Sequence, residues 1–191
     1  MDCLSRLRKN IETKVAISDE DFSKIASYFR RQHLKKKKDL LRIGDTCDEL
    51  AFVCKGSLRS YSMDARGVEH VVQIALEDYW MADLYSYLNN TPSNIAIEAI
   101  EDVEILLIKY NDVDTMCLEF PAMERFFRKL VEKAYSATLQ RINSVKSLSA
   151  EDRYKNLLKN QPEFLKRIPL VHIASYLGMT PESLSRIRKN V

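Results

Sequence analysis

"HIASYLGMTPESLSRIRKN", residues 172–190 of a 191-residue chain, joins small, tightly spaced residues to a run of cations. Ile173, Ala174 and Leu177 recur at helical spacing and predict the inner face of one helix, and Leu184 and Ile187 predict that of a second. Between them Gly178 accepts the left-handed backbone of a tight turn, and Met179 plugs the gap. Thr180 is a helix cap, and Pro181 suits a first helical position, where no N–H is needed. The small Ala174 lets the two helices cross closely. An ordinary helical hairpin shares the periodicity but not this joint placement of small residue, glycine and cap. The stretch therefore predicts a helix-turn-helix. Thr180, Glu182, Ser185, Arg186 and Lys189 then face outward, where they can enter a DNA major groove.

The distribution of charge agrees. Residues 1–66 carry 15 Lys/Arg against 10 Asp/Glu, net +5; residues 67–124 carry Lys109 against 12 acids, net −11; residues 125–191 carry 14 bases against 5 acids, net +9. The whole chain is only +3. An acidic middle and a basic final third point to two modules, the second suited to an anionic partner such as DNA.

Upstream, Ser18 with Asp21 three residues later is a helix-start pattern, and Phe22, Ile25, Ala26 and Phe29 continue it at helical spacing. From Leu34 to Lys109 the period shortens. "DLLRIGD", "ELAFVCKG", "SLRSYSM", "EHVVQIAL", "NIAIEAI" and "VEILLIK" are short, rich in branched and aromatic residues, and separated by turn signals, including the hairpin turn "DARG" at 64–67. They predict a small antiparallel barrel or roll. "YNDVDTMCLEF" predicts a short helix. "PAMERFFRKLVEKAYSATLQRINSVKSL" predicts one long helix of roughly 40 Å, with Pro121 in its first turn. Its stripe of Met123, Phe127, Leu130, Ala134 and Ala137 fits a helix packed on its own domain. A helix apolar on more than one face often has a second partner too, which would be a twofold mate on the stripe with the roll on the other apolar side. Ser149 and Asp152 restart a helix.

A β-roll, a long helix and a terminal helix-turn-helix ending in "ESLSRI" resemble the Crp/Fnr family of transcription regulators, over residues 19–190. "RIGD…LAFVCKGSLRSY" is similar to the start of the cyclic-nucleotide-binding roll, and "SAEDRYKNLL" and "IASYLGMTPESLSRIRK" to the DNA-binding half. The resemblance implies an α+β fold with an N-terminal helix and roll at 1–118, a dimerisation helix at 119–148 and a helix-turn-helix domain at 149–191. It implies a homodimer on a palindromic operator, acting with RNA polymerase. It also implies that Glu182 and Arg186, four residues apart, read base edges. The chemistry fits, since a carboxylate accepts from cytosine N4 and a guanidinium forks onto guanine O6 and N7. Pro181 stands where the family often has arginine, so base preference should differ. The chain stops at Val191, so no β-wing is expected.

The cyclic-nucleotide site of the family resembles "GEL…RSA", with a glutamate for ribose and an arginine for phosphate. Here "DYWMADLYSYLNNTPSNIAIEA" has Met81, Ala82 and Asp83 at the Gly-Glu step, and no arginine occurs between Arg66 and Arg125. A phosphate needs a cation or an array of donors, so cyclic-nucleotide sensing is not expected. Trp80, Asp83, Tyr85 and Asn94 form a candidate ligand pocket, with simple filling of the roll as the alternative.

The remaining signals exclude other classes. Three dispersed histidines make no cupin metal set, and GxSxG, P-loop and HExxH motifs are absent, so no enzyme, metal or cofactor is expected. Cys3, Cys47, Cys54 and Cys117 are scattered, with no disulfide framework or iron–sulfur cluster spacing expected; redox activity of Cys47 or Cys54 stands beside simple burial in strands. No segment approaches the roughly 20 apolar residues of a membrane span, and no secretion signal opens the chain, so a cytoplasmic location is expected. Two alternatives remain: a regulator responsive to a cyclic nucleotide or other small ligand, and a β-roll interaction module that does not bind DNA.

Overall fold

The computed structural model describes residues 2–190. Val191, where the expectation about a wing falls, lies outside the described residues. The chain divides into two compact units, Met1–Ser60 with Ile74–Val131, and Tyr61–Gln73 with Glu132–Val191.

The first unit opens with helix α1 (Cys3–Glu12), started by the Asp2 carboxylate, which accepts the Leu4 amide at 3.2 Å. Helix α2 (Asp19–Ala26) is capped by Ser18, whose hydroxyl accepts the Asp21 amide at 3.0 Å, as the sequence predicts. The chain leaves the helix at Ser27, and strand β1 (Arg30–Leu34) follows. The predicted strands appear as β2 (Asp39–Leu41), β3 (Glu49–Lys55), β4 (Leu58–Met63), β5 (Glu69–Ala75), β7 (Ile95–Ala99) and β8 (Val103–Lys109). The short β6 (Trp80–Met81) and helix α3 (Leu84–Asn89) lie between β5 and β7.

The strands form two four-stranded sheets, in the orders β1-β8-β3-β6 and β2-β7-β4-β5. β8 is central in its sheet, antiparallel to β1 and β3, with Leu107 opposite Arg30 and Ala51. This explains the unbroken apolar run "ILLI", which is buried on both faces. One cluster, including Leu58, Ala75, Ile97, Ile105 and Leu107, fills the roll. A second joins Leu7 and Ile11 of α1 to Phe52, Trp80, Leu106, Met123 and Phe126. Gly56 turns β3 into β4 at φ +88°; any Cβ there would collide with the Asp102 carbonyl oxygen.

Helix α4 (Tyr110–Glu119) leads to the long helix α5 (Pro121–Ser147), both as predicted. The cysteine expectation needs correcting. Cys3 and Cys54 form a disulfide, their Cα atoms 5.2 Å apart across a sequence separation of 51. Packing of α1 against β3 brings together residues whose spacing carries no local signal.

In the second unit, Asp64–Gly67 makes the predicted hairpin turn. The Asp64 carboxylate accepts the Arg66 amide at 2.9 Å and the Val68 amide at 3.0 Å. Helices α6 (Ala150–Asn160), α7 (Pro162–Arg167), α8 (Leu170–Tyr176) and α9 (Pro181–Asn190) bury Tyr154, Leu157, Phe164, Ile173, Ala174 and Leu184 among them.

Candidate nucleic-acid interface

The turn between α8 and α9 is built from its sequence. After the helix cap at Leu177, Gly178 adopts φ +66°. Its amide donates to the Ser175 carbonyl at 3.0 Å, and the Met179 amide donates to the Ala174 carbonyl at 3.0 Å. These two bonds make a Schellman ending, which satisfies the last carbonyls of α8 and reverses the chain. The Thr180 hydroxyl oxygen then accepts the Ser183 amide at 3.2 Å, and Pro181 fills the first helical position.

This geometry sets the register of α9. Leu184 is fully buried and Ile187 half-buried, on one side. Thr180, Glu182, Ser185, Arg186 and Lys189 are all exposed. At about 100° per residue, positions 182, 185, 186 and 189 share one outward face. The Glu182 carboxyl is held below its ordinary range, first by its own backbone amide at the helix start, then by the Thr180 hydroxyl and by Arg186. In the free protein its charge thus favours the positive end of the helix.

Two supports of the turn have no sequence signal of their own. Arg153 of α6 donates to the carbonyls of Leu148 at 2.9 Å and Val145 at 3.3 Å, and to the Gly178 carbonyl at 3.4 Å. One guanidinium therefore joins the end of α5 to the turn ahead of α9. The Ser175 hydroxyl accepts the Val71 amide at 2.8 Å and donates to the Glu69 carbonyl at 3.3 Å, tying α8 to β5. A long cation amid "SAEDRYKNLL" is the only hint of the first.

Helix α5 carries an uncovered apolar face. Val131, Tyr135, Leu139, Ile142 and Val145 are all exposed, Tyr135 by 65%. Of the predicted stripe, Ala134 and Ala137 are exposed, and Phe127 and Leu130 are half-buried against the first unit. Met123 is fully buried in that unit's own cluster and has no surface to offer a mate. Helical spacing puts Phe127, Val131, Ala134, Ile142 and Val145 on one face.

The four candidate pocket residues do not converge. Trp80 is buried against Phe29, Phe52, Phe126 and Phe127, and its indole N–H donates to Asn10 at 3.0 Å. Tyr85 and Asn94 are exposed. Asp83 caps α3 through the Tyr85 and Ser86 amides at 3.1 and 3.3 Å, and accepts the Ser93 hydroxyl at 2.6 Å. Trp80 therefore serves the core, and Asp83 serves its own loop. The buried Arg59 of β4 pairs with Glu98 of β7 at 3.1 Å. A groove of about 490 Å³ lies elsewhere, lined by Ile17, Ser18, Asp21, Glu119, Phe120 and Pro121 among others.

Comparison with known proteins gives a consistent set. Residues 31–120 match the cyclic nucleotide-binding domain family. The chain is 24% identical to the transcriptional regulatory protein btr of Bordetella pertussis, over 82% of this chain and 69% of that protein. Its fold is similar to that of FixK2 from Bradyrhizobium japonicum, with a TM-score of 0.72 and 17% identity over 85% of this chain and 83% of the other. It is also similar to a CooA mutant from Carboxydothermus hydrogenoformans, with a TM-score of 0.73 and 21% identity over 91% of this chain and 80% of the other.

Proposed function

We propose that the chain is a transcription regulator of the Crp/Fnr type, that it binds specific DNA sequences as a homodimer and that α9 is its reading helix. The matched nucleotide-binding-domain family and the similarity to a transcriptional regulatory protein support this reading. The observation that carries this is the exposed row of Thr180, Glu182, Ser185, Arg186 and Lys189 over a turn fixed by Gly178 and Arg153. Arg186 forks onto a guanine edge, Glu182 accepts from a cytosine amine on the partner strand, and Lys189 grips phosphate. Glu182 leaves its own helix start to do so.

The functional division runs 1–118, 119–148 and 149–191, with α5 as the dimer helix. Pairing along Phe127, Val131, Ala134, Ile142 and Val145 buries four side chains that are exposed in the single chain and completes the burial of half-buried Phe127. A twofold dimer offers two reading helices to half-sites roughly 34 Å apart, hence a palindromic operator. The regulator acts in the cytoplasm, on RNA polymerase at its target promoters.

The roll works without a cyclic nucleotide. Asp83 is engaged with Ser93 and the start of α3, and Arg59 is neutralised by Glu98. Neither leaves a cation for a phosphate.

The test is selection from a randomised duplex pool, followed by gel shift of the recovered sequence against competitor DNA. Enrichment of a palindrome retarded as a dimer complex is expected. Uniform, unselective retardation overturns the reading.

A further inference from the structure

Cys3 opens α1 and Cys54 lies in β3, and the disulfide between them is almost enclosed, at 3% and 7% exposure. The other two cysteines behave differently. Cys47 is buried and Cys117 half-buried, both as free thiols. Burial pushes the Cys117 thiol up to about 11 and raises that of Cys47. Thiols so placed are poor nucleophiles near neutrality. The chain thus separates two inert thiols from one linked pair.

The pair sits on the strap that seats α5. Leu7, Ile11 and Val15 share a cluster with Met123 and Phe126. Lys129 donates to the Lys14 carbonyl at 3.1 Å, and the Lys14 ammonium lies 5.1 Å from the centre of the Phe126 ring. Toward the sheet, Arg6 pairs with Asp78 at 2.7 Å, and Trp80 donates to Asn10 at 3.0 Å. One end of α1 is therefore bonded to β3, and its other end holds the first turns of the helix that carries the candidate dimer seam.

In a compartment where thiols are kept reduced, a disulfide is usually transient and sensing; this step rests on the DNA-binding function proposed above. We propose that Cys3 and Cys54 are a redox-sensing pair, oxidised by a hydroperoxide and reset by a small dithiol, whose state sets how firmly α1 holds the base of α5. Cys3 reacts first. It stands in the first turn of α1, close to the start of the chain, the kind of segment that opens most readily. Its sulfur attacks the O–O bond to give a sulfenic acid and an alcohol. The Cys54 sulfur then displaces hydroxide from the Cys3 sulfur, forming the S–S bond and water. The two thiols lose two electrons and two protons, which complete the alcohol and the water. Reduction runs through two thiol–disulfide exchanges, leaving the small dithiol as a cyclic disulfide.

The test uses the full chain treated with tert-butyl hydroperoxide or with dithiothreitol, then freed of reagent. Alkylation after denaturation is expected to find two thiols in the oxidised protein and all four cysteines in the reduced one. Hydrogen exchange in Pro121–Val131 is expected to be slower in the oxidised protein. Affinity for a duplex selected from a random pool should be higher by about fivefold or more in that state, the lower end of ordinary allosteric couplings. Cys3→Ala should abolish each difference, and Cys54→Ala serves as the second variant. Four thiols after peroxide treatment, or exchange in α5 that ignores the thiol state, overturns the proposal. If the pool yields no duplex, the DNA-binding reading falls, and thiol count and exchange still decide the switch.

Discussion

Ser93 donates its hydroxyl to the Asp83 carboxylate at 2.6 Å, and that same carboxylate caps α3. An acid engaged in this way repels a phosphate rather than cradling it. Titration calorimetry with cyclic AMP and cyclic GMP should give no saturable heat at millimolar ligand, and binding in the micromolar range contradicts this. Asp83→Ala should lower the stability of the roll by about 0.5–2 kcal/mol, the ordinary cost of a lost cap, as read by urea unfolding.

The exposed face of α5 makes a separate prediction. Val131→Asp with Ile142→Asp puts unpaired charge in the candidate seam while leaving the roll's core untouched. Sedimentation should then find monomers with a native thermal midpoint. Phe127→Asp should behave differently, because its ring packs 5.9 Å from Trp80 and 5.3 Å from Phe126. That variant should lose stability as well as the dimer.

Arg153 links the end of α5 to the turn of the helix-turn-helix. Arg153→Met keeps most of the apolar stem and removes the donors. A destabilisation of about 1–3 kcal/mol is expected, in line with hydrogen bonds made by a charged group. Hydrogen exchange at Gly178 and Met179 should rise with it. An unchanged exchange rate there means that the Schellman bonds hold the turn alone.

Much of this is legible in the sequence because local chemistry and tertiary need coincide. Gly178, Thr180 and Pro181 announce the turn, and "VEILLIK" announces a central strand. β1 escapes such a reading because "RRQHL" is polar, as befits an edge strand. Helix α1 has a signal, Asp2 ahead of Leu4, Leu7 and Ile11, but the cations between them mask it. Met123 resembles a seam residue because helical spacing does not distinguish a face covered by the chain itself from one left for a mate. The Cys3–Cys54 bond and the Arg153 clamp depend on packing between distant segments, which no local pattern encodes.

The hairpin turn should be acid-resistant. The Asp64 carboxyl is held at about 2, against an ordinary 3.8, chiefly by the Val68 amide and further by His70 and the Arg66 amide. Its folded value is lowered, so its contribution to stability is present above the ordinary value and lost as pH falls through about 2. An NMR titration should find the midpoint of this carboxyl well below the ordinary 3.8. A midpoint in the ordinary range means that the turn bonds do not persist in solution.

The most direct measurement of the central claim is a binding-site selection run in parallel on the wild-type chain, Arg186→Ala and Lys189→Ala, with affinities taken at several salt concentrations. Arg186→Ala should weaken operator binding by about 1–3 kcal/mol and relax preference at one base pair in each half-site. Lys189→Ala should weaken all duplexes alike and reduce the salt slope by about one for each phosphate it no longer neutralises. Full base preference retained by Arg186→Ala would contradict the account, because α9 would then not be the helix that reads DNA.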